Sequence, residues 1–238
     1  MTTAAALIIG EEILGGRFAD LNGPWLISWL QARGLALRHM HYLPDDEREI
    51  AEAIARLAPS HDWVFTSGGV GPTHDDVTFG AVARGLGRPI ARQPELVDVL
   101  ERRLGDRLTP DALRMTDVPS GAELWWDGEI EYPVVVVANV VVLPGLPSLF
   151  RSKLQAVAHR FSGQLPAQSM IHTTLHEAQF AIQLAQLAAS APSVRIGSYP
   201  RTDPRSPWRV LLILESHDAD ALASCSDQLR ALLGDSVI

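Results

Sequence analysis

A single cysteine, Cys225, leaves this 238-residue chain unable to form an internal disulfide. The expectation is a reducing compartment, with Cys225 a structural residue in a C-terminal helix. Clusters of Lys and Arg are missing too. Twenty basic against 28 acidic side chains give a formal net charge of −8, which argues against nucleic acid as the main partner. No window approaches the ~20 apolar residues that a membrane helix needs. The densest apolar run, VVVVANVVVLPG, is β-branched and interrupted by Asn139, and reads as buried strands. The opening MTTAAALIIGEE has no basic segment, and its apolar run is short for a signal peptide. The expectation is therefore a cytoplasmic protein with neither nucleic acid nor membrane as partner. Internal repeats and low-complexity tracts are absent as well.

What is present is a regular alternation. AALIIG reads as a strand ended by Gly10, and LNGPWLISWLQARG as a helix with Pro24 in its first turn and Gly34 at its stop. LALRHMHYL is a second strand. DEREIAEAIARLA is a helix in which Asp46 and Glu49 have capping-box spacing. DWVF is a third strand, and VTFGAVARGLG has apolar residues at helical spacing. This β-α-β-α-β-α order predicts an α/β fold, a three-layer α/β/α domain with a mostly parallel sheet. Residues 87–120 contain further helical pieces, PELVDVLERRL and PDALRM, while VVVV and VVVL read as later strands and PSLFRSKLQAVAHRF as a closing helix. The polar, Pro-containing GQLPAQ marks a boundary, giving domains at 1–163 and 168–238. The second reads as a small α+β unit: strand SMIHTTL, helix EAQFAIQLAQLAAS, strands VRIGSY and WRVLLILES, and helix DADALASCSDQLRALL.

The segment TSGGVGPTHDDVT, residues 66–78, joins the third strand to a helix. Gly68, Gly69 and Gly71 permit positive φ and close approach of a ligand to the backbone, with Pro72 following. A helix N-terminus suits phosphate. Asp75 and Asp76 would repel bare phosphate, and make sense with a divalent cation between. Ligands of such sheets bind beyond the carboxyl ends of the strands, where EEILGG, PDD and GGVGPTHDD all converge. The plain alternative is a Gly-rich turn without ligand, with Asp76 as a helix cap or as partner of Thr73 in a variant capping box. A cap does not account for Asp75.

Asp45, Asp75 and Asp76 are thus the candidates for metal-assisted work on a phosphate bond, with Asp75 and Asp76 as metal ligands. The Gly68–Gly71 backbone would hold a phosphate, and Thr66, Ser67, Thr73 and Thr78 would add hydroxyl contacts. Asp46 is read as a cap. Glu12 is read either as a ligand contact (nucleobase, pterin edge or metal-bound water) or as a structural residue of a first helical turn. His74 lies in the loop. His39 and His41 share a strand face, and His172 and His176 straddle a strand-to-helix change, so metal spacing does not apply. Trp25 and Trp29, four apart on one helix, read as core or interface. Trp125 and Trp126 alternate, so at most one can face a ligand. Trp63 and Trp208 read as structural.

The string at 66–78 resembles the signature TGG(L/V/T)GPTxDD(V/L)T of the molybdopterin-binding fold family. That family includes molybdenum-cofactor biosynthesis proteins, competence/damage-inducible protein A and a domain of eukaryotic FAD synthase. IIGEEILGGRFADLN resembles the family's first motif at Gly10, Glu12, Gly15 or Gly16, Asp20 and Asn22, with Glu11 in place of the usual Asp. YLPDDEREIAEAI resembles the second, at Asp45 and Asp46. VVVLPGLP resembles the PGxP motif at Pro144, Gly145 and Pro147, which implies that Pro144 and Gly145 lie beside the ligand. VRIGSYP resembles a motif of FAD-synthase-type members. Two departures stand out. WDGEIEYPV replaces the usual NxxGxAPG, keeping Pro133 and adding Asp127, Glu129 and Glu131, whose plain reading is a solvated hairpin. Leu149 replaces an acid two residues after PGxP. The resemblance implies a small phosphate-containing ligand, molybdopterin or a nucleotide, and a divalent metal (Mg, Mn or Co). The implied activity is a nucleotide pyrophosphatase, a hydrolase acting on FAD or ADP-ribose. The alternatives it leaves are a non-catalytic pterin- or nucleotide-binding protein and a molybdenum-cofactor biosynthesis protein. It also implies a homodimer or other homo-oligomer, for which the Trp25/Trp29 face offers an apolar surface.

Overall fold

The structure is a computed structural model, and it describes residues 1–238 other than Glu129 and Pro204. The chain divides into two compact units, Met1–Gly163 and Gln164–Ile238. In chain order the first contains β1 (Thr3–Ile9), α1 (Glu11–Leu14), α2 (Asn22–Gln31), β2 (Ala36–Leu43), α3 (Glu47–Leu57), β3 (Trp63–Ser67), α4 (Thr78–Gly85), β4 (Ile90–Arg92) and α5 (Pro94–Leu104). It continues with α6 (Pro110–Leu113), β5 (Asp117–Pro119), β6 (Glu123–Trp125), β7 (Val134–Val137), β8 (Val140–Leu143) and α7 (Pro147–Ala156).

Six strands form one sheet in the order β2-β1-β3-β8-β7-β6. β1 runs parallel to β2 and β3, β3 runs parallel to β8, and β7 is antiparallel to both its neighbours. The fold is therefore the expected α/β type with a mostly parallel sheet. Alternation along β1 shows how the layers arise. Ala5, Leu7 and Ile9 face a core completed by Ile50 and Ile54 of α3, Val82 of α4 and Leu96 of α5. Ala4 and Ala6 face the opposite core, with Leu26 and Leu30 of α2 and Phe150 and Leu154 of α7. Both faces are covered, so β1 reads as an unbroken apolar run.

Asp46 caps α3 as its spacing predicts, its Oδ1 accepting from the Glu49 N–H at 2.9 Å. Asp46→Ala should cost about 1 kcal/mol of stability, whereas Asp46→Asn should be nearly silent. Urea denaturation of the two variants checks this, and equal losses would exclude the cap.

One expectation is corrected in this unit. The Trp25/Trp29 face is interior. Trp29 is buried, its ring lies 6.0 Å from that of Trp25 and 5.6 Å from that of Phe161, and Trp25 stands edge-on to Phe150 at 6.0 Å. Trp25 is half-buried and packs with Trp29 between α2 and α7. Residues 87–120 hold the expected helical pieces as α5 and α6, and also β4 and β5, which form an antiparallel ribbon. Strands of three residues are too short to display a period of two.

In the second unit, β9 (Ala167–Thr173), α8 (Ala181–Ser190), β10 (Arg195–Pro200), β11 (Val210–Ser216) and α9 (Ala219–Leu233) make a small α+β body. Its antiparallel sheet has the order β10-β11-β9. Val210, Leu212 and Leu214 of the central strand pack against Leu187 of α8 and Leu222 and Leu229 of α9. Cys225 is buried in this core, which pushes its thiol pKa up and keeps it unreactive. α8 starts later than its apolar spacing suggests. Glu177–Gln179 is a separate turn, closed by the Gln179 side chain accepting from the His176 N–H at 2.8 Å. The His172 ring lies tilted against that of Trp208, with centroids 4.8 Å apart. Among the described residues no helix is long and apolar enough to cross a membrane.

Candidate functional site at the carboxyl edge of the sheet

Parallel strands end together, and four loops meet where β1, β2, β3 and β8 end. The Gly10 N–H donates to Leu43 O at 3.1 Å, and the Gly68 N–H donates to Leu143 O at 3.1 Å. Gly68 has a φ of 109°, and a Cβ there would lie 2.2 Å from the Ile9 carbonyl oxygen. This glycine is required by close approach of the chain to itself. Gly145 completes the junction, since a Cβ on it would stand 3.3 Å from the Gly68 Cα. Pro144 is half-buried beside it.

The N–H of Gly68 is spent on the sheet, so the expected Gly68–Gly71 cradle begins one residue later. The N–H groups of Gly69, Val70 and Gly71 have no acceptor among the described residues. Consecutive free N–H groups in a turn make an anion-binding concavity. Three hydroxyls assigned to the ligand are corrected. Thr66 is fully buried with its Oγ1 unpartnered, Ser67 is buried against Asn22, and the buried Thr78 hydroxyl donates to Gly68 O at 2.8 Å. They sit inside the sheet or brace the loop. Pro72 and Thr73 are exposed.

Asp76 does not cap α4, whose N-cap is Val77 with no side-chain bond. The Asp76 carboxylate instead accepts from the Thr73 N–H at 2.8 Å and the Thr73 hydroxyl at 2.6 Å. This is half of a capping box closed on the loop's own turn. Asp75 is exposed, with the imidazole of His74 3.9 Å away. The Thr73 side chain and the Asp75 backbone N–H hold its carboxyl below the usual range. Asp45 reaches across from the β2 loop and accepts from the Glu11 N–H at 3.0 Å. Burial first, then the charges of Glu12, Asp75 and Asp76, push its pKa up against that hydrogen bond. Four carboxylates from three loops thus share one electrostatic neighbourhood. Glu12 folds back over the first loop, its Oε1 2.6 Å from where a Cβ on Gly10 would be. Among the described residues no three His, Cys, Asp or Glu side chains are close enough to hold a metal ion together.

Asn22 has a part that its motif position alone does not announce. Its Nδ2 donates to Ser67 Oγ at 2.9 Å and to Gly145 O at 2.7 Å, tying the first motif, β3 and the PGLP turn together. Asn22→Ala should cost about 1–3 kcal/mol by leaving the buried Ser67 hydroxyl without its donor and removing the tie to Gly145. Thermal denaturation checks this, and an unchanged melting temperature would show the tie to be dispensable.

In the segment 125–133 Asp127 and Glu131 are paired, Glu131 while exposed to solvent. Asp127 pairs with Arg160 at 2.7 Å and His159 at 3.6 Å, and Glu131 pairs with Arg103 at 3.0 Å. Glu129 lies outside the described residues. Trp125 is buried against Trp63 and Phe161, and Trp126 is exposed. Beside this segment a cavity of about 380 Å³ opens next to Val70 and Pro144. Lys153, half-buried in its wall, donates to the carbonyls of Tyr132 and Pro133, the latter at 2.7 Å. Burial pushes its pKa down to about 8, with the nearby Arg103 charge adding to the shift. Lys153 was not legible as a site residue, because its placement depends on a carbonyl pair twenty residues earlier. His39 and His41 stack on the flank of β2, and His39 Nδ1 lies 3.0 Å from His61 Nε2, away from these loops.

Residues 5–162 match the family profile described as a probable molybdopterin binding domain. The chain belongs to this molybdopterin-binding domain family. Residues 166–238 match a second profile, the middle domain of FAD synthase. The molybdopterin-binding domain together with the second unit is 28% identical over 228 residues to a protein of Archaeoglobus fulgidus, covering 95% of this chain and 96% of that protein. It is 29% identical over 265 residues to a probable FAD synthase of Caenorhabditis elegans, covering 99% of this chain and 51% of the relative. The chain thus spans about half the length of that relative. The crystal structure of the protein CinA from Thermoplasma acidophilum, of unknown function, superimposes with a TM-score of 0.62 at 27% identity, covering 67% of this chain and 97% of that one.

Proposed function

We propose that this member of the molybdopterin-binding family is a metal-dependent hydrolase of a pyrophosphate-bridged nucleotide. The observation that carries the reading is the meeting of Glu12, Asp45, Asp75 and Asp76 around a loop with free N–H groups at Gly69–Gly71. These residues fit a hard divalent cation, which is commonly held by one or two carboxylates plus substrate phosphates. Asp75, exposed and ionised, and Asp76 would hold the cation, whose contribution is to neutralise phosphate charge. Gly69–Gly71 hold the phosphate not under attack. Asp45 orients the attacking water and takes its proton.

The test is incubation of the protein with FAD, ADP-ribose and NAD under Mg²⁺, Mn²⁺ or Co²⁺. Mononucleotide products are expected. Turnover no greater than that of an Asp75→Ala, Asp76→Ala double variant would end the enzymatic reading.

A second reading is a nucleotide- or pterin-binding domain without catalysis. It is favoured by the internal use of Asp76 by Thr73 and of Asp45 by Glu11. It predicts ligand-induced thermal stabilisation with no product formed.

A further inference from the structure

The edge strand β2 changes face part-way along. Leu37 pairs with Ala4 and His39 with Ala5, so Arg38 is an extra residue, a β-bulge. Leu37 accordingly packs in the core shared with α2 and α7, whereas Leu43 packs in the core under α3. The bulge thereby turns His39 and His41 to the side that α3 covers. His61 lies between α3 and β3 and meets His39 there. The meeting point is towards the amino end of the sheet, apart from the acids at its carboxyl edge.

The His39 and His61 rings are nearly perpendicular, with centroids 5.0 Å apart, and His39 Nδ1 lies 3.0 Å from His61 Nε2. On its other side, His61 Nδ1 lies 2.9 Å from Leu57 O. A carbonyl only accepts, so Nδ1 carries the proton, and Nε2 of the neutral ring presents its lone pair to His39. Metal-binding histidines are oriented in this way, with the second ring nitrogen donating to a backbone carbonyl. Two imidazole nitrogens at ~2.0–2.1 Å from one divalent ion stand about 2.9 Å apart at a right angle and about 3.3 Å apart at the tetrahedral angle. The observed 3.0 Å falls between these values. His39 is exposed and His61 half-buried, so water can fill the remaining positions. The His41 ring stands 6.2 Å from that of His39, and the Arg56 charge acts on it, which disfavours a cation at that end. The protein ligands are therefore two.

We propose that His39 and His61 form a site for a divalent transition-metal ion that prefers nitrogen ligands, Zn²⁺ or Cu²⁺ and not Mg²⁺. Binding requires His39 to move its proton from Nδ1 to Nε2, after which both facing nitrogens offer lone pairs. The bound ion ties the edge strand β2 to the connection that leads into β3.

The test is calorimetric titration of the metal-free full chain with Zn²⁺ at neutral pH. Millimolar Mg²⁺ is included, because it occupies oxygen sites and competes poorly for imidazole. Saturable binding in the micromolar range is expected. His39→Gln and His61→Gln should each weaken it by at least about tenfold. A second readout separates ligation from a merely structural contact: the electron paramagnetic resonance spectrum of bound Cu²⁺ should show nitrogen coupling from two imidazoles, and from one fewer in either variant. Absence of saturable Zn²⁺ binding, Zn²⁺ affinity unchanged in either variant, or Cu²⁺ nitrogen coupling that ignores both substitutions would overturn the proposal and leave the two rings sharing only a hydrogen bond.

Discussion

Asp45→Asn is expected to lower the metal-dependent rate of pyrophosphate hydrolysis by about 10²- to 10⁴-fold, the range for losing a positioned general base. The fold should hardly notice. Asn retains a carbonyl oxygen able to accept from the Glu11 N–H, the one hydrogen bond that the structure gives the Asp45 side chain. The pH profile carries the sharper expectation. The base is active when deprotonated, so the rate falls as pH drops through the Asp45 pKa. Burial and the charges of Glu12, Asp75 and Asp76 raise that pKa in the metal-free protein, and a cation at Asp75 and Asp76 would offset their share of the shift. Asp75→Asn should weaken the dependence on metal. Wild-type kcat in Asp45→Asn, or an acid limb that survives in Asp45→Asn, would remove Asp45 from the role of base.

Much of this architecture could be read from the chain because its signals are local. The Asp46 cap needs a spacing of three residues, and the structure supplies the expected bond to Glu49. The strand-loop-helix course of residues 63–85 is likewise written in one stretch, with Trp63–Ser67 leading to Thr78–Gly85. The reversal of β7 was less plain. It depends on Ala138 and Asn139 forming a two-residue hairpin turn, with Ala138 at a φ of 54°. Asn139 also donates to the carbonyls of Ala58 and His61, which no local pattern announces.

The site was half legible for a related reason. Sequence identifies which residues a loop contains, but exposure is decided by neighbours that arrive from elsewhere. Thr66, Ser67 and Thr78 are suitable phosphate ligands by type, yet β1, α2 and the loop's own carbonyls enclose them. The Trp25/Trp29 pair is a plausible contact surface on an isolated helix, until Phe150 and Phe161 cover it. Lys153 shows the reverse. A lysine on an amphipathic helix ordinarily reaches solvent. Here the Tyr132–Pro133 turn offers two carbonyls, and the amine turns inward.

That inward amine leads to a stability effect of opposite sign to a salt bridge. An ordinary lysine keeps its proton to pH values above 10, whereas burial lowers the folded-state pKa of Lys153 to about 8. Between these values the unfolded chain binds the proton more tightly than the folded protein does. Stability from this group is therefore lowest below pH 8 and rises as pH climbs towards the unfolded pKa. The gain between pH 7.5 and 9.5 should be on the order of 2 kcal/mol. Tyr132 packs beside it with its pKa pushed far above the usual phenol value by burial. It opposes the trend only where unfolded tyrosine ionises, near pH 10 and beyond. Urea unfolding of wild type and Lys153→Met at both pH values isolates the effect, because other titrating groups cancel in the comparison. Wild type should gain stability relative to the variant as pH rises. A difference that stays constant from pH 7.5 to 9.5 would show that the Lys153 ammonium is as well solvated in the folded protein as in the unfolded chain.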